Sequence, residues 1–316
     1  MSRHFRLLAV ALWLVYSAGA SAAPFAYITN QASNDVSVID LARDRVIATI
    51  PVGKSPAGVV VSDRAGKVFV SNPESKSISV IDLASNRVID SIDAGRGPVG
   101  IDAAPDGRRL YVADWYANAL LVFDAATHRR IGEVPVGKAP AGVAVAPDGT
   151  LIYVANRDDD SIGIVDAAAL RQVASVEVGS HPFALGLTPD GAKLFALNVL
   201  SNDVSVIDTG TRQVISTIAV GKSPYGVAFS ADGARAWVTN QHAETVSVID
   251  TATLRVVDTV AGGAYPEGIA VAGGRVVVVS WMDDCVHLLD AKNGKRLATI
   301  DTGRNPRGFG RFVTTP

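Results

Sequence analysis

The sequence predicts an all-β protein, a seven-bladed β-propeller of four-stranded antiparallel blades, from three patterns that recur in one register. A Gly-x-x-Pro turn begins at Gly53, Gly95, Gly137, Gly179, Gly221, Gly263 and Gly303, with steps of 42 residues five times and then 40. An aspartate ends a short apolar run at Asp40, Asp82, Asp124, Asp166, Asp208, Asp250 and Asp290. A polar residue falls at Asn30, Asn72, Asp114, Asn156, Asn198, Asn240 and Ser280. A period near 40 residues built from short β-type runs is the signature of a propeller blade.

Residues 142–176 illustrate one blade. The inner strand is expected at 142–146, before a Pro-Asp-Gly turn in which Pro fixes φ and Gly permits a positive φ. The second strand covers 151–156 and is rich in β-branched and aromatic residues. The third and fourth strands cover 162–166 and 171–176, and these lengths are usual for strands. The predicted propeller contains no sustained helical periodicity.

The two ends of the repeat array predict how the ring closes. The first pattern along the chain is a second strand, at 26–30, and no inner strand precedes it. An inner-strand pattern at 308–313 follows the last Gly-x-x-Pro turn. We therefore expect the N- and C-terminal strands to share one blade, which leaves no open sheet edge at the seam.

The N-terminal residues predict a cleaved signal peptide. Arg3 and Arg6 precede an apolar run of about ten residues, half the length that a membrane-spanning helix needs. Ala20-Ser21-Ala22 forms a small-residue cleavage pattern. The expected organisation is a signal peptide at 1–22 and a propeller at 23–316, located in the periplasm, without a membrane span and monomeric.

Charge and cysteine content restrict the class of protein. The formal net charge is −2, and it becomes −4 when Arg3 and Arg6 leave with the signal peptide. This balance argues against a surface coated in positive charge for nucleic acid or anionic membranes, but it permits a local basic patch. Cys285 is the single cysteine, so the core must stabilise the fold without an internal disulfide.

The second-strand sequences resemble those of a known family. Ala-Tyr-Ile-Thr-Asn at 26–30, Leu-Tyr-Val-Ala-Asp at 110–114, Ile-Tyr-Val-Ala-Asn at 152–156 and Ala-Trp-Val-Thr-Asn at 236–240 are similar to the YVTN-repeat β-propeller family, the YncE-like periplasmic proteins. The resemblance covers essentially the whole mature chain and implies a secreted or periplasmic scaffold. It also implies that relatives associate with nucleic acids or redox cofactors. A propeller fold alone selects no activity.

Residues present in every blade are interpreted as structural, so functional candidates are those that deviate from the repeat. The loop after the second strand and the turn after the fourth strand emerge on one face of the propeller. The position after the repeat glycine is basic in five blades, at Lys54, Arg96, Lys138, Lys222 and Arg304, and Arg307 lies nearby. These residues predict a cationic collar for an anionic ligand. The alternative is that they are turn residues paired with acidic neighbours, such as Asp35, Glu74, Asp158, Asp203 and Glu244.

Aromatic residues form the second set of deviations on this face. Trp115 and Trp281 share one repeat position in blades three and seven, and we expect them to face each other across the channel mouth. The other members are Tyr116, His181, Phe183, Tyr225, His242 and Tyr265. Exposed aromatic side chains without a packing role are typical binding anchors. Trp237, by contrast, replaces a strand tyrosine and is expected in the core.

The sequence offers little catalytic chemistry. No zinc-protease, c-type haem or nucleophile-elbow motif occurs. One set of residues has side chains that bind metals and could converge from neighbouring blades: His181, His242, Glu267, Asp283 and Asp284. They lack ligand spacing, so no metal site or cofactor is assigned. Asp102 is the one charged residue at its inner-strand position, and we interpret it as a solvated channel residue; the alternative is a binding or catalytic carboxylate near the channel axis. Cys285 follows two acidic residues, which disfavour a thiolate nucleophile.

The expected function is therefore a non-enzymatic periplasmic binding scaffold that holds its partner on the basic and aromatic rim. The partner is expected to be an anionic, π-rich small molecule or protein: a quinone cofactor, a single-stranded nucleic acid or an acidic protein segment. The alternative is an enzyme of the lactonase or lyase type that acts at the channel mouth. Such an enzyme predicts a compact carboxylate–histidine cluster there.

Overall fold

The structure is a computed structural model that describes residues 24–315, and it confirms the predicted propeller. Six sheets have four strands each, and the seventh has three regular strands that the C-terminal segment completes. Blade one contains the N-terminal strands, and blades two to seven follow in chain order. The predicted signal peptide at 1–22 and the predicted mature N-terminus at Ala23 lie outside the described residues.

The strands are numbered in chain order. The inner strands are β4 (Val59–Ser62), β8 (Pro98–Ala103), β12 (Pro140–Val145), β16 (Pro182–Leu187), β20 (Pro224–Phe229) and β24 (Pro266–Ala272). The second strands are β1 (Phe25–Asn30), β5 (Lys67–Asn72), β9 (Arg109–Asp114), β13 (Leu151–Asn156), β17 (Lys193–Asn198), β21 (Arg235–Asn240) and β25 (Arg275–Ser280). The third strands are β2 (Asp35–Asp40), β6 (Ser77–Asp82), β10 (Ala119–Asp124), β14 (Ser161–Asp166), β18 (Asp203–Asp208), β22 (Thr245–Asp250) and β26 (Cys285–Asp290). The outer strands are β3 (Arg45–Pro51), β7 (Arg87–Asp93), β11 (Arg130–Pro135), β15 (Arg171–Glu177), β19 (Gln213–Ala219), β23 (Arg255–Ala261) and β27 (Arg296–Asp301). Single-turn 3-10 helices lie at Arg157–Asp159 and Gln241–Ala243.

The core lies between blades, because both faces of the middle strands are covered by neighbouring sheets. The second and third strands are buried along nearly their whole length, as in β5 and β10. The outer strands are mostly exposed, as in β3 and β7. Trp237 is 2% exposed, which confirms its predicted place in the core.

The C-terminal segment closes the ring. Val313 bridges Ala26 and Pro306 bridges Asn30, both antiparallel, so the segment takes the inner position of blade one. The Tyr27 amide also donates to the Phe312 carbonyl at 2.8 Å. Between these contacts the segment bonds to blade two, because Val59 N donates to Phe309 O at 2.8 Å and Val61 N donates to Arg311 O at 2.8 Å. Positive φ angles at Gly308 (61°) and Gly310 (125°) bend the backbone so that its carbonyls reach both blades.

Glycine allows the inner strands to approach one another. A Cβ at Gly100 would overlap the carbonyl oxygen of Ala141, and one at Gly226 would overlap that of Glu267. Each of these carbonyls belongs to the next inner strand around the channel. The glycine two residues after the repeat proline is therefore required by the close packing of neighbouring blades.

The repeated polar residues have structural roles, as predicted. Asp166 ends β14, and its Oδ1 accepts hydrogen bonds from the backbone amides of Ala168 and Ala169 at 2.9 and 2.8 Å. The other repeat aspartates accept hydrogen bonds from turn amides in the same way. The buried Asn198 donates its Nδ2 to Asp203 Oδ1 at 2.6 Å and to Ser205 Oγ at 2.9 Å. These side chains fasten the ends of the strands within each blade.

Basic residues at the start of the second strand connect neighbouring blades. Lys67 Nζ donates to Ala125 O at 2.8 Å, and Lys193 Nζ donates to Thr251 O at 3.2 Å. Arg275 Nη1 donates to Leu41 O at 3.0 Å and so joins blade seven to blade one. Together with the C-terminal segment, this contact stabilises the seam.

Candidate functional site

The rim is the face formed by the loops after the second strands and the turns after the fourth strands. Backbone hydrogen bonds join the two sets of loops: Trp115 N donates to Gly97 O at 2.9 Å, and Trp281 N donates to Tyr265 O at 3.0 Å. The loops predicted to share a face therefore lie side by side.

The rim turns have a constrained backbone. His181 and Tyr265, which precede the repeat prolines, have φ angles of 55° and 56° in the left-handed region that bulky residues seldom adopt. The His181 amide is fixed by Asp160 Oδ1 at 2.7 Å, and Asn305 in the corresponding turn is fixed by Asp284 Oδ1 at 2.7 Å. Because side chains of the preceding blade hold these turns, the rim presents its residues from a fixed backbone.

The five collar residues, Lys54, Arg96, Lys138, Lys222 and Arg304, are all exposed on the rim. Within residues 24–315, Lys138 alone among them has a carboxylate oxygen within 4.0 Å, that of Asp159 at 3.5 Å. Several acids suggested as partners are engaged elsewhere. Asp35 and Asp203 accept the Nδ2 groups of Asn30 and Asn198 at 2.6 Å, and Asp158 binds Arg157 at 2.6 Å. The collar therefore carries positive charge that the described chain leaves largely uncompensated.

An asymmetric ring of side chains lines the channel mouth at the position after the repeat proline. Its members are Ala57, Val99, Ala141, Phe183, Tyr225, Glu267 and Arg307. Phe183 stacks on Tyr225 with ring centroids 4.7 Å apart and an interplanar angle of 28°. Phe309 and Trp115 lie 5.0 and 6.3 Å from the Phe183 ring. One side of the mouth is therefore filled by aromatic groups, and the opposite side carries small residues.

Arg307 and Tyr225 belong to a buried polar network and do not stand free on the rim. Arg307 Nε binds Glu267 Oε2 at 2.8 Å, its guanidinium also donates to the Tyr225 hydroxyl, and Gln241 Nε2 donates to Glu267 Oε1 at 2.8 Å. Burial raises the pKa of Tyr225. Burial also raises the pKa of Glu267, while the Arg307 charge acts in the opposite direction. The sequence suggested a free anion-binding arginine, whereas Arg307 neutralises Glu267 at the mouth.

The remaining aromatic residues form a second cluster. Trp281 lies 6.0 Å from the Tyr265 ring, and the Tyr265 hydroxyl lies 2.6 Å from His242 Nε2. The two tryptophans do not form one opposed pair: Trp115 contacts Phe183 and has the Arg157 guanidinium 5.4 Å from its ring centroid, while Trp281 packs in its own cluster. Both indoles are half-buried, which leaves part of each ring accessible on the rim.

Tyr116 is the most exposed of the predicted aromatic residues. It is 70% exposed, and its ring lies over Gly97, where a Cβ would come within 2.5 Å of the ring. It is therefore accessible to a ligand beside Trp115.

The central channel contains a cavity of about 720 Å³ below the mouth. Its wall runs from Gly100, Gly142 and Gly226 near the rim to the exposed Pro105 and Pro147 in the turns of the opposite face. Its size is typical of small-molecule sites, and its lining is mainly apolar.

Asp102 was expected to be a solvated channel carboxylate, and this interpretation is wrong. The residue is 5% exposed, its Oδ1 binds Arg311 Nε at 2.7 Å, and its Oδ2 accepts the Val145 amide at 2.8 Å. The compensating charge comes from the C-terminal segment, 209 residues away in sequence. Sequence proximity therefore offered no signal for this pair.

The enzyme alternative requires a carboxylate and a histidine together at the mouth. Glu267 is bound to Arg307, and Asp102 is bound to Arg311. On the rim loops, His181 Nε2 lies 3.9 Å from Asp158 Oδ1. A second pair, His287 Nε2 and Asp283 Oδ2 at 3.5 Å, has its histidine buried within blade seven. Neither pair is the compact cluster at the channel mouth that a lactonase or lyase site predicts.

Metal-ligating residue types meet around Asp283, one member of the set considered in the sequence, but with two different partners. Asp283 lies close to Cys285 and His287, with one ligand atom of each within 4.8 Å of the others. His287 was not singled out from the sequence, and Cys285 was considered only as a nucleophile. The available signal was that both stand at positions where most other blades have a small polar residue.

Several solved structures share the fold of this chain. The chain resembles hydrazine synthase of Kuenenia stuttgartiensis (TM-score 0.72, 23% identity, 79% of this chain and 87% of that chain). It also resembles a functionally unknown protein of Desulfotomaculum acetoxidans (TM-score 0.76, 14% identity, 90% and 99%). A third similar structure is dihydro-heme d1 dehydrogenase NirN in complex with DHE (TM-score 0.69, 15% identity, 91% and 74%). These likenesses show the fold alone.

Sequence comparison identifies the family. A search of curated proteins gives no match. Within residues 24–315, no helix is long and apolar enough to cross a membrane. A family model described as YNCE-like beta-propeller matches residues 61–150 and 144–239, more than half of the chain. The repeat, the seven blades and this match show that the protein belongs to the YNCE-like β-propeller family.

Proposed function

We propose that the protein is a non-enzymatic periplasmic binding scaffold that holds an anionic, π-rich ligand on its rim. One observation carries the proposal: four collar cations without a carboxylate partner in the described chain lie on the same face as the half-buried Trp115 and Trp281. Export to the periplasm by a cleaved signal peptide is part of the proposal and rests on the N-terminal sequence.

The two sets of residues contribute different forces. The exposed collar charges attract an anion over a distance that salt limits to about 8 Å at physiological ionic strength. Stacking on an indole contributes about 1–3 kcal/mol per base or ring, and added salt weakens it little. A ligand that uses both should be charged and aromatic, as a quinone carboxylate or a single-stranded nucleic acid is.

One structural relative agrees with this ligand class. NirN was solved in complex with DHE, so a protein that shares this fold accompanies a π-rich ligand. At 15% identity the likeness transfers no residue, and the rim of the present chain is the basis of the proposal.

The test is a titration of the purified mature protein with a fluorescent single-stranded oligonucleotide, a quinone tricarboxylate and an acidic peptide at several salt concentrations. The collar variant is Lys54→Glu with Lys222→Glu. The matched control is Arg64→Glu with Arg108→Glu, two exposed residues of the turns on the opposite face. Trp115→Ala and Trp281→Ala test the stacking contribution.

For a ligand that binds, the collar variant should weaken affinity at low salt and flatten its salt dependence, while the control retains the parent affinity. The tryptophan variants should weaken binding at every salt concentration, by about 5- to 150-fold for 1–3 kcal/mol. If all three rim variants bind with the parent affinity, the rim is not the binding site and the proposal is refuted. An equal loss in the control would show that only net charge matters. Failure of all three probes to bind would refute the proposed ligand class.

A further inference from the structure

Blade seven departs from a polar knot that fastens blades one, two, five and six, in which an asparagine donates to a serine of the third strand. In blade six, Asn240 ends β21, and its Nδ2 donates to Thr245 Oγ1 at 3.1 Å and Ser247 Oγ at 2.9 Å on β22. Blade five has the same arrangement from Asn198. The knot therefore consists of an amide and two small polar residues, five and seven positions later.

In blade seven the same three positions hold Ser280, Cys285 and His287. Because serine is smaller than asparagine, space is available that the imidazole occupies. A Cβ at Gly263 would come within 2.5 Å of His287 Nε2, just as one at Gly221 would approach the Asn240 amide. The histidine thus replaces the asparagine amide in the knot, and a thiol is placed beside it.

Asp283 completes a group of three metal-ligating side chains. Cys285 Sγ lies 3.7 Å from His287 Nε2, and Asp283 Oδ2 lies 3.5 Å from the same nitrogen. Zinc binds sulfur at about 2.3 Å and nitrogen at about 2.0–2.1 Å, so two such ligands at a tetrahedral angle lie roughly 3.5 Å apart. Both distances from His287 Nε2 are close to that spacing, and all three ligand atoms lie within 4.8 Å of one another.

The surroundings of His287 and Asp283 favour the forms in which these two groups bind a metal. Burial lowers the pKa of His287, which keeps its imidazole neutral, and His287 Nδ1 lies 3.0 Å from Thr299 Oγ1. That contact orients the ring and leaves Nε2 directed at Asp283, as a supporting hydrogen bond does in metal sites. The Ala264 amide lowers the pKa of Asp283, so its carboxylate is ionised.

The thiol is protonated in the absence of a cation. Burial, with Asp283 nearby, raises the pKa of Cys285 to about 11. A bound cation has to displace that proton, which is the usual coupling of metal binding to ligand ionisation. The resulting thiolate and the Asp283 carboxylate together balance the charge of a divalent ion.

We propose that Asp283, Cys285 and His287 form a binding site for one zinc-class cation, with a fourth coordination position open to water. The cysteine and histidine are 3% exposed, whereas the Asp283 side chain is 41% exposed and provides access from the rim. The site is independent of the proposed ligand-binding function. Its chemistry, one thiolate, one imidazole and one carboxylate, favours Zn²⁺ or Co²⁺ over Mg²⁺ or Ca²⁺.

The test uses the full mature protein, stripped of metal and titrated with Co²⁺ and then with Zn²⁺. We expect one Co²⁺ per chain, a thiolate-to-cobalt charge-transfer band, and displacement of the band by one equivalent of Zn²⁺. Zn²⁺ should also raise the unfolding temperature, because a ligand that binds only the folded state stabilises it.

The repeat itself supplies conservative variants. Cys285→Ser introduces the residue that Ser77 and Ser161 provide in other blades, and His287→Ser introduces that of Ser247. Both should abolish the charge-transfer band and lower Co²⁺ affinity at least 100-fold. Asp284→Asn is the control, since Asn202 occupies that position in blade five and caps the rim turn in the same way.

The control should bind Co²⁺ with the parent affinity. Absence of the band in the parent, or an unchanged titration in Cys285→Ser, would overturn the proposal. In that case His287 would serve only to fill the space left by Ser280. If His287→Ser fails to fold, the nearly isosteric Cys285→Ser decides the outcome.

Discussion

The seam between the two ends of the propeller gives the strongest test of the fold. Phe312 is fully buried in a cluster that includes Ile28 of blade one, Val61 of blade two and Val279 of blade seven. Its side chain thus joins three blades. We predict that Phe312→Ala is among the more destabilising single substitutions in the protein, although only four residues follow it in the sequence.

The magnitude follows from the burial. Truncation of a core Phe to Ala costs about 3–5 kcal/mol, a large part of the roughly 5–15 kcal/mol that stabilises a typical protein. In a domain of this size we expect the unfolding temperature to fall by about 5–15 °C. Deletion of 309–316 should cost more, since it also removes Phe309 and leaves Asp102 buried without Arg311.

The assay is thermal and urea unfolding followed by circular dichroism. Tyr116→Ala is the control, because it removes a side chain of similar volume that is 70% exposed and should change stability by no more than about 0.5 kcal/mol. We expect the 309–316 deletion to be aggregated or unfolded. For a domain of this size, each kcal/mol of lost stability lowers the unfolding temperature by about 2–4 °C. The assignment of the C-terminal strand is refuted if Phe312→Ala unfolds within 2 °C of the parent, or if the deletion variant remains folded.

Three further predictions concern the repeat and the N-terminus. Gly100→Ala should destabilise the protein or prevent folding, because its Cβ would overlap Ala141 O. The control Gly210→Ala meets only Asp208 Oδ1 at 3.5 Å and should be nearly neutral in urea unfolding. Equal effects of the two substitutions would contradict the proposed role of the inner-strand glycines. Backbone amides lower the pKa of four repeat aspartates, Asp124, Asp166, Asp208 and Asp250. Their stabilisation is present above the unfolded-state pKa of about 3.9 and is lost as the pH falls through the lower folded pKa, so the urea midpoint should drop in acid. Substitution of all four aspartates by Asn should make the urea midpoint fall less steeply in acid. An unchanged dependence of the midpoint on pH would show that other groups cause the loss of stability. Intact mass of the exported protein should correspond to a chain that begins at Ala23, and a retained N-terminus would refute both the cleavage site and the proposed release into the periplasm.

The sequence by itself determined the architecture, because a repeat amplifies weak local signals. One five-residue strand predicts little, but seven copies in one register established the blade, the ring and the seam. The same comparison between blades separated structural residues from deviating ones. It correctly assigned Trp237 to the core and the repeat aspartates to turns. The collar and the rim aromatics were also found as deviations and lie on the predicted face.

Only the tertiary structure decided which deviating residues meet. Asp102 and Arg311 are 209 residues apart, and Arg307 and Tyr225 are 82 apart, so their partners depend on ring closure, which no local pattern encodes. These contacts between distant residues matter for function, because a basic or acidic side chain that is neutralised by a neighbour is no longer available to a ligand. Cys285 and His287 lie two residues apart in β26, yet their relation to Asp283 depends on the bend of a rim loop. Strand periodicity specifies the scaffold, whereas side-chain distances across loops and between blades specify the sites.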